Sequence, residues 1–207
     1  MKLTHGFLAA MTGIALLAST SVSADQYTAS TKSGVEIHPI GTLGFSQGGD
    51  TLGTYRVEFL GDTSDVDVDA GDSLFLYGGV QMRWPDAHLG MLIQGGLATT
   101  GVGSSSDGVD FKRWPVEAIG FVEAGKMRLG LGLTHHFSPT FDEDGTGGNL
   151  RVEFDNASGW IAQIEYHSGP ATFGLRYVDI SYDFSTLEID GSSWGLFGTY
   201  IFGVQAR

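Results

Sequence analysis

The polarity of the chain alternates with a period of two residues along nearly its whole length after residue 34, and this restricts the fold more than any other feature. Successive side chains of a strand point to opposite faces, whereas a helix repeats about every 3.6 residues. No segment keeps a helical stripe over three turns. Glycine, with 32 residues in 207, occurs inside nearly every alternating run and would weaken a helix by about 1 kcal/mol per site. The chain is therefore predicted to be all-β.

Eight alternating runs are predicted to be strands. They cover residues 35–46, 73–84, 87–98, 110–123, 126–138, 158–168, 171–183 and 191–203. Tight turns are predicted at 85–87, 124–125 and 168–170, and longer links at 47–72, 99–109, 139–157 and 184–190. The first long link is predicted to extend as a hairpin, because residues 54–59 and 64–69 also alternate. An even number of strands, with long links at one end and short turns at the other, is the pattern of an antiparallel up-and-down barrel.

The N-terminus has the organisation of a secretory signal peptide. Lys2 gives the positive start, an apolar stretch runs from Phe7 to Leu17, and Val22-Ser23-Ala24 supplies small residues for cleavage. The alternative is a membrane anchor, but this stretch is too short to cross the roughly 30 Å hydrocarbon layer as a helix. We therefore predict a signal peptide at 1–24 and a single barrel domain at 25–207. No later apolar run has the length of a membrane helix.

Composition excludes several classes of protein. The chain has no cysteine, which removes disulfide scaffolds, thiolate metal sites and cysteine nucleophiles. Its net charge of −13 argues against a nucleic-acid partner, because phosphate binding needs a basic surface. A hydrophobic content of 42% is too high for a disordered chain. What remains is a folded, acidic, glycine-rich domain.

Alternation alone does not say which face of the barrel is apolar. A soluble, lipocalin-like barrel would turn the apolar face inward, and a membrane barrel would turn it outward. Two features favour lipid contact. Eight strands enclose a lumen only wide enough for side chains, which suits glycine with a few polar residues better than rows of Leu and Trp. Beyond the leader the chain has only Lys32, Lys112 and Lys126, whereas a soluble exterior usually carries many lysines.

Aromatic residues cluster at the predicted strand ends, which is the third feature that favours a membrane. Amphipathic rings at these positions form the girdles of outer-membrane barrels. The predicted girdle contains Trp84, Trp114, Phe137, Trp160, Tyr166, Phe173, Trp194, Tyr200 and Phe202.

Four stretches of the chain carry a family resemblance: RWPVE at 113–117, LGLTHHFSP at 131–139, GLRYVD at 174–179 and GSSWGL at 191–196. They make the chain similar to small eight-stranded outer-membrane β-barrel proteins, the group of the OmpA membrane domain, OmpX and OmpW, and resemble its uncharacterised proteobacterial members. The resemblance covers the whole chain after the leader and identifies an architecture, not an activity. One departure is that five residues follow Phe202, where such chains commonly end on an aromatic residue read by the barrel-assembly machinery.

The resemblance implies a location in the outer membrane of a Gram-negative bacterium. The expected partners are outer-membrane lipid and lipopolysaccharide, with the barrel-assembly machinery during biogenesis. A monomer is expected, without a cofactor and without nucleic acid.

Five charged residues are predicted to point into the lumen: Arg83, Glu117, Arg128, Glu165 and Arg176. A buried charge is costly unless it is paired and hydrogen-bonded. We therefore expect one network that plugs the barrel. The alternative is a gated path for ions.

His136 and Ser138 are the strongest enzymatic signal, because residues two apart on a strand share a face. A histidine can act as general base toward a serine hydroxyl when an acid orients the imidazole, here Glu153 or Glu165. The pattern resembles the His-x-Ser element of PagL-type lipid A deacylases. Side chains at i and i+2 run parallel, however, and Pro139 follows where that family has a further pattern. The sequence therefore assigns no catalytic residue.

Acidic residues concentrate in two of the predicted long links. They are Asp62, Asp65, Asp67, Asp69 and Asp72 in the first and Asp142, Glu143 and Asp144 in the third. Carboxylates suit Ca²⁺ or Mg²⁺, and residues 65–69 begin like an EF-hand loop. That match fails because Ala70 stands where the glycine is required and Leu76 where the closing glutamate belongs. We predict no metal site and interpret these links as solvated loops.

The resulting hypothesis is an integral outer-membrane barrel with a structural or surface-interaction role and no assigned reaction. A narrow channel for small ions or, in an OmpW-like manner, apolar solutes is the first alternative, and a PagL-like lipid A deacylase is the second.

Overall fold

The computed structural model describes residues 34–59, 62–104, 107–145 and 148–204. The signal peptide predicted at 1–24 lies outside these residues. Thirteen strands and one 3₁₀ turn, Pro85–Ala87, occur in the described part. The strands are β1 (Glu36–Gln47), β2 (Thr51–Phe59), β3 (Asp62–Asp69), β4 (Ser73–Trp84), β5 (Leu89–Ser104), β6 (Asp107–Ala124), β7 (Met127–Gly145), β8 (Gly148–Glu153), β9 (Ala157–Ser168), β10 (Ala171–Asp179), β11 (Ser181–Phe184), β12 (Leu187–Asp190) and β13 (Ser193–Ile201).

Eight of these strands close into an antiparallel barrel, as the alternation predicts. Going round the barrel, the order is β1, β4, β5, β6, β7, β9, β10 and β13, and β13 pairs back onto β1 with Ile40 opposite Ile201. Each barrel strand lies beside its neighbours in the chain, which is the up-and-down topology. Closure leaves no open sheet edge.

The structure confirms the hairpin predicted in the first long link, and corrects three other boundaries. β2 and β3 form that hairpin. The links predicted at 99–109 and 139–157 are largely strand, because β5, β6, β7 and β8 pair beyond the barrel wall as extended hairpins. The run predicted at 171–183 is two elements: β10 ends at Asp179, and β11 then pairs with β12 outside the barrel. Continuous alternation cannot show a change of pairing partner, since both segments are extended.

Two of the three short turns depend on glycine. Gly125 and Gly169 have positive φ values of 63° and 61°. Side chains rarely adopt this left-handed conformation, so glycine lets the strand reverse within two residues. The third turn uses the 3₁₀ turn Pro85–Ala87, followed by His88 at φ 53°.

The polarity of the barrel is inverted relative to a soluble protein. Large apolar side chains are exposed on the outer wall, with Leu131 66% exposed. The lumen holds charged groups instead, and Glu117 and Arg128 are each only 1% exposed. Of the two barrels that alternation allows, the structure therefore has the one with the apolar face outward.

The predicted girdle residues all lie on the outer wall, with Phe202 half-buried and the other eight exposed. They fall into two groups along the barrel axis. Trp84, Tyr166, Phe173, Tyr200 and Phe202 lie toward the short turns, and Trp114, Phe137, Trp160 and Trp194 toward the long hairpins. Tyr177 joins the second group by contacting Trp160 and Trp194, with ring centroids 5.4 Å and 4.8 Å away.

The apolar outer wall has the height of a bilayer core. From Leu74 to Trp84, β4 rises about 33 Å along its own direction. A strand tilt of about 40° reduces this to about 25 Å along the axis, the height of the apolar band in outer-membrane barrels. Within the described ranges, no helix is long and apolar enough to cross a membrane.

Replacing Leu131 by arginine tests the orientation of the wall. Leu131→Arg puts a charge on the lipid face and is expected to lower the free energy of unfolding by about 2–4 kcal/mol. Equilibrium urea unfolding in phosphatidylcholine vesicles measures it. Leu187→Arg is the matched control, because Leu187 is 62% exposed but lies on the β11–β12 hairpin outside the wall. Equal effects of the two substitutions would contradict a lipid-facing Leu131.

Candidate functional site in the barrel lumen

Arg128 on β7 is the centre of a hydrogen-bonded cluster in the part of the lumen nearest the short turns. Its guanidinium donates to Gln81 Oε1 at 2.9 Å, to Glu123 Oε1 at 3.0 Å and to Glu165 Oε2 at 3.3 Å. It also bonds the imidazole of His167 and lies 4.0 Å from the centroid of the Phe121 ring. These partners compensate the charge of a cation that has almost no access to water, although its Nε atom has no hydrogen-bond partner among the described residues.

Arg83 closes this cluster at the mouth of the barrel. It donates to Glu123 Oε2 at 2.7 Å and to Glu36 Oε2 at 3.2 Å. Its side chain is partly exposed, so it lies at the mouth and not within the lumen. The short-turn end of the barrel is therefore closed by ion pairs.

Glu117 and Arg176 form a second ion pair higher in the lumen. Arg176 Nη2 donates to Glu117 Oε1, and Gln94 Nε2 donates to Glu117 Oε2 at 2.7 Å. Thr42 extends this series of hydrogen bonds by donating to Gln94 Oε1 at 2.9 Å. The Arg176 guanidinium lies 5.1 Å from the Phe75 ring centroid.

The five predicted lumen charges thus form two clusters, and the expectation of one network is wrong. The strand register separates them, since Arg128 is directly opposite Glu165 whereas Glu117 is opposite Gln94 and Thr134. On β7, Gly130 and Gly132 lie between Arg128 and Thr134. A Cβ on Gly132 would lie 2.8 Å from Ile119 Cγ1, so glycine is what lets this isoleucine fill the lumen. Ile119 and Ile161, both fully buried, occupy this middle level.

Arg113 is a lumen cation that the sequence analysis did not select. It is 3% exposed, and its guanidinium donates to three consecutive carbonyl oxygens, those of Ala70, Gly71 and Asp72. Alternation could have found its inward direction, because the neighbouring Trp114 points outward. Its partners could not be found in this way, since they lie in a turn more than forty residues away.

The turn that Arg113 binds is part of a roof over the barrel, defined here as residues 48–50, 69–72 and 190–192. Gly71 N–H donates to Gly48 O at 2.8 Å, and Asp50 N–H donates to Asp190 O at 2.7 Å. Ala70 N–H donates to Asp50 O at 2.8 Å. Backbone hydrogen bonds therefore join three segments that continue the neighbouring strands β4, β1 and β13 at the hairpin end.

Asp72 in this roof has an altered acidity. Burial raises the pKa of the Asp72 carboxyl to about 6, and the Gly48 N–H donating to Oδ1 at 3.0 Å opposes the shift only in part. The carboxylate is thus ionised at neutral pH and becomes protonated near pH 6.

An aromatic cluster packs beside the roof, and the roof residue Ala70 belongs to the same buried cluster. Phe111 makes edge contacts with Tyr182 and Phe154, at centroid distances of 5.5 Å and 5.8 Å. His136 is buried beside them and its Nδ1 is 2.6 Å from the Tyr182 hydroxyl. Aromatic side chains thus fill the interior at the hairpin end.

The structure does not bring the catalytic candidates together. Ser138 is exposed at φ 46° and lies in a β-bulge, where Ser138 and Pro139 together oppose Arg113. The extra residue turns Ser138 away from the lumen face that holds His136. Glu153 is exposed and accepts from Arg151 Nε at 3.1 Å, while Glu165 is bound to Arg128 in the lower cluster. Of the two adjacent histidines it is His135 that meets a serine, with Nδ1 2.8 Å from Ser158 Oγ on the outer wall.

The described residues contain no group of three or more His, Asp or Glu side chains that could hold a metal ion. The side chains of Asp62, Asp65 and Asp144 lie outside the description. Asp67 instead accepts from Thr54 at 2.7 Å, and Asp69 from Thr51 at 2.8 Å, across the β2–β3 hairpin. These hydrogen bonds of the loop carboxylates join β2 to β3.

A closed sheet with an apolar wall, aromatic girdles and a charged interior has the polarity that only a bilayer stabilises. The chain is a small eight-stranded outer-membrane β-barrel. Its strand pairing and the burial of its residues have the polarity of the barrels that span outer membranes.

Comparisons with known proteins found similar solved structures. Ail, the attachment invasion locus protein of Yersinia pestis, is 14% identical with a TM-score of 0.46, covering 82% of this chain and 99% of that one. Neisserial surface protein A is 9% identical with a TM-score of 0.46, covering 82% and 98%. The N-terminal barrel domain of Pseudomonas aeruginosa OprF is 10% identical with a TM-score of 0.43, covering 80% and 97%. No family model and no curated protein matches this barrel.

Removing the Glu117 carboxylate tests the upper ion pair. Glu117→Ala leaves Arg176 as a buried cation without a carboxylate, and we expect a loss of about 3–5 kcal/mol in unfolding free energy. Urea unfolding followed by tryptophan fluorescence measures the change. Glu153→Ala is the control, because Glu153 is exposed and its pairing with Arg151 is screened by water, so its midpoint should hardly move. An unchanged urea midpoint for Glu117→Ala would show that the pair does not stabilise the barrel.

Proposed function

We propose that this barrel is a non-conducting surface protein of the outer membrane, which presents acidic hairpins to lipopolysaccharide. The observation that carries the first part is the filling of the lumen at every level. From the hairpin end downward, the roof with the aromatic cluster beside it, the Glu117–Arg176 pair, the two isoleucines and the Arg128 cluster follow one another. Opening a path for ions would require breaking buried ion pairs, which costs several kcal/mol each.

The hairpin end of the barrel supports the second part of the proposal. In outer-membrane barrels the long connections face outside and the short turns face the periplasm. Exposed acidic side chains at the hairpin end are Asp50, Asp67, Glu153, Asp155, Asp183, Glu188 and Asp190. Among the described basic side chains there, Lys112 bonds Asp110, and Arg151 contacts Asp142 and Glu153.

An acidic surface beside lipopolysaccharide phosphates calls for a bridging cation. Carboxylates are hard oxygen ligands suited to Ca²⁺ and Mg²⁺, and so are phosphates. Divalent ions shared between the hairpins and the lipid would therefore hold the two together without a dedicated metal site in the protein. The proposal assigns no reaction to the chain.

Planar-bilayer recording tests whether the lumen conducts. The purified wild-type barrel is expected to insert without stepwise currents at either sign of voltage, because the lumen side chains leave no water-filled path. A porin inserted under the same conditions is the positive control, and resistance to SDS before boiling shows that the sample is folded. Reproducible unitary currents from the folded barrel would favour the narrow-channel alternative.

Calcium-dependent binding of lipopolysaccharide tests the role of the exposed acidic side chains at the hairpin end. The variant Asp155→Asn/Asp183→Asn/Glu188→Gln removes three exposed carboxylates, and we expect it to bind lipopolysaccharide several-fold more weakly than wild type when the barrel is held in nanodiscs with Ca²⁺. Asp86→Asn is the control, because Asp86 is exposed at the opposite, short-turn end. Chelation by EDTA should reduce wild type to the level of the triple variant. Binding that neither EDTA nor the triple variant reduces would exclude a cation bridge.

A further inference from the structure

A small cavity lies inside the barrel below the roof. Its volume is about 20 Å³, enough for one particle of the size of a water molecule. The charged and titratable side chains that line it are Arg113, Arg176, Glu117, His136 and Tyr77. Ser46, Ser73 and Ser193 add hydroxyl groups to its wall.

The wall of this cavity carries more positive than negative charge. Arg176 is balanced by Glu117, whose second oxygen accepts from Gln94. Arg113 forms no ion pair of this kind, because no carboxylate oxygen lies within 4.0 Å of it among the side chains that the structure describes. The Asp72 carboxylate acts on it only over a longer distance. Asp72 gives Arg113 its carbonyl oxygen at 3.0 Å, while the Asp72 carboxylate accepts the Gly48 N–H. Two guanidinium groups thus share one carboxylate at the cavity.

One donor of Arg113 also has no hydrogen-bond acceptor among the residues that the structure describes. The Nε atom is buried and forms no hydrogen bond with the described residues, although both Nη atoms do. A buried donor without a partner costs about 1–3 kcal/mol, and more when it carries a charge. Carbonyl dipoles satisfy the geometry of the guanidinium but supply no formal negative charge. An anion at the cavity would supply both the acceptor and the charge.

We propose that this cavity binds one small inorganic anion of halide size between Arg113 and Arg176. The cavity has room for one small ion, and the two guanidinium groups are donors of the kind that an anion requires. Arg113 also binds three carbonyls of the roof, so the anion stabilises the closed roof by stabilising Arg113. This inference does not depend on the lipopolysaccharide proposal, since the cavity lies inside the barrel.

Thermal unfolding in different sodium salts tests the site. The folded barrel in a non-ionic detergent is heated in chloride, bromide or gluconate at constant ionic strength. We expect the midpoint to rise with the logarithm of the chloride or bromide concentration once this exceeds the Kd, and to stay constant in gluconate, which is too large for the cavity. Binding to the folded state alone adds the same increment for each tenfold rise in halide above the Kd.

Two arginine variants separate a site from general charge screening. Arg113→Gln is expected to lose the halide dependence, because it removes the uncompensated charge. Arg151→Gln makes the same change on an exposed hairpin and should keep it. A midpoint that is equal in all three salts for wild type, or a halide dependence that persists in Arg113→Gln, would overturn the proposal.

If Arg113→Gln does not fold, crystals of the wild-type barrel grown in bromide test the site independently. An anomalous bromide peak in the cavity beside Arg113 is the expected result. Density for water alone at that position would overturn the proposal.

Discussion

Closure of the sheet is the constraint on which the rest of this structure depends. In hydrocarbon an unpaired backbone N–H or C=O costs several kcal/mol, so a sheet can cross a bilayer only when its last strand pairs with its first. Here that pairing is made by β1 and β13 over eight opposed residue pairs from Ile40–Ile201 to Gln47–Trp194. Once the ring is closed, one face of every strand must meet lipid and the other must meet the lumen.

A closed ring of eight strands then determines what the lumen can hold. The space is narrow and shielded from water, so each charge in it needs a partner within hydrogen-bond distance. Arg128 and Arg176 find carboxylates on facing strands, and the two pairs are kept apart by isoleucines that glycine admits. The many glycines that first argued against helices therefore have a second role, because they make room for bulky lumen side chains.

The features that the sequence predicts are those set by residues close together in the chain. Alternation is local, so it predicts the β4 bounds at residues 73–84 and the inward direction of Glu117 and Arg128. Register, bulges and loop docking are set by residues far away in the chain. The bulge that turns Ser138 outward, the division of the lumen charges into two clusters and the roof contacts of Arg113 all depend on them, and none leaves a local pattern.

The three arginines that the structure shows buried in the lumen differ in the groups that compensate their charge. Arg128 and Arg176 bind carboxylates of the wall, so their charge is cancelled by groups that the barrel fold itself fixes in place. Arg113 binds carbonyl oxygens of a turn, so it joins the wall to the roof without cancelling its own charge. The hydrogen bonds from Arg113 to carbonyl oxygens hold the roof but leave a charge on which ions can act, whereas Arg128 and Arg176 are each paired with a carboxylate. The hairpin end is therefore where the environment of this barrel can act on its structure.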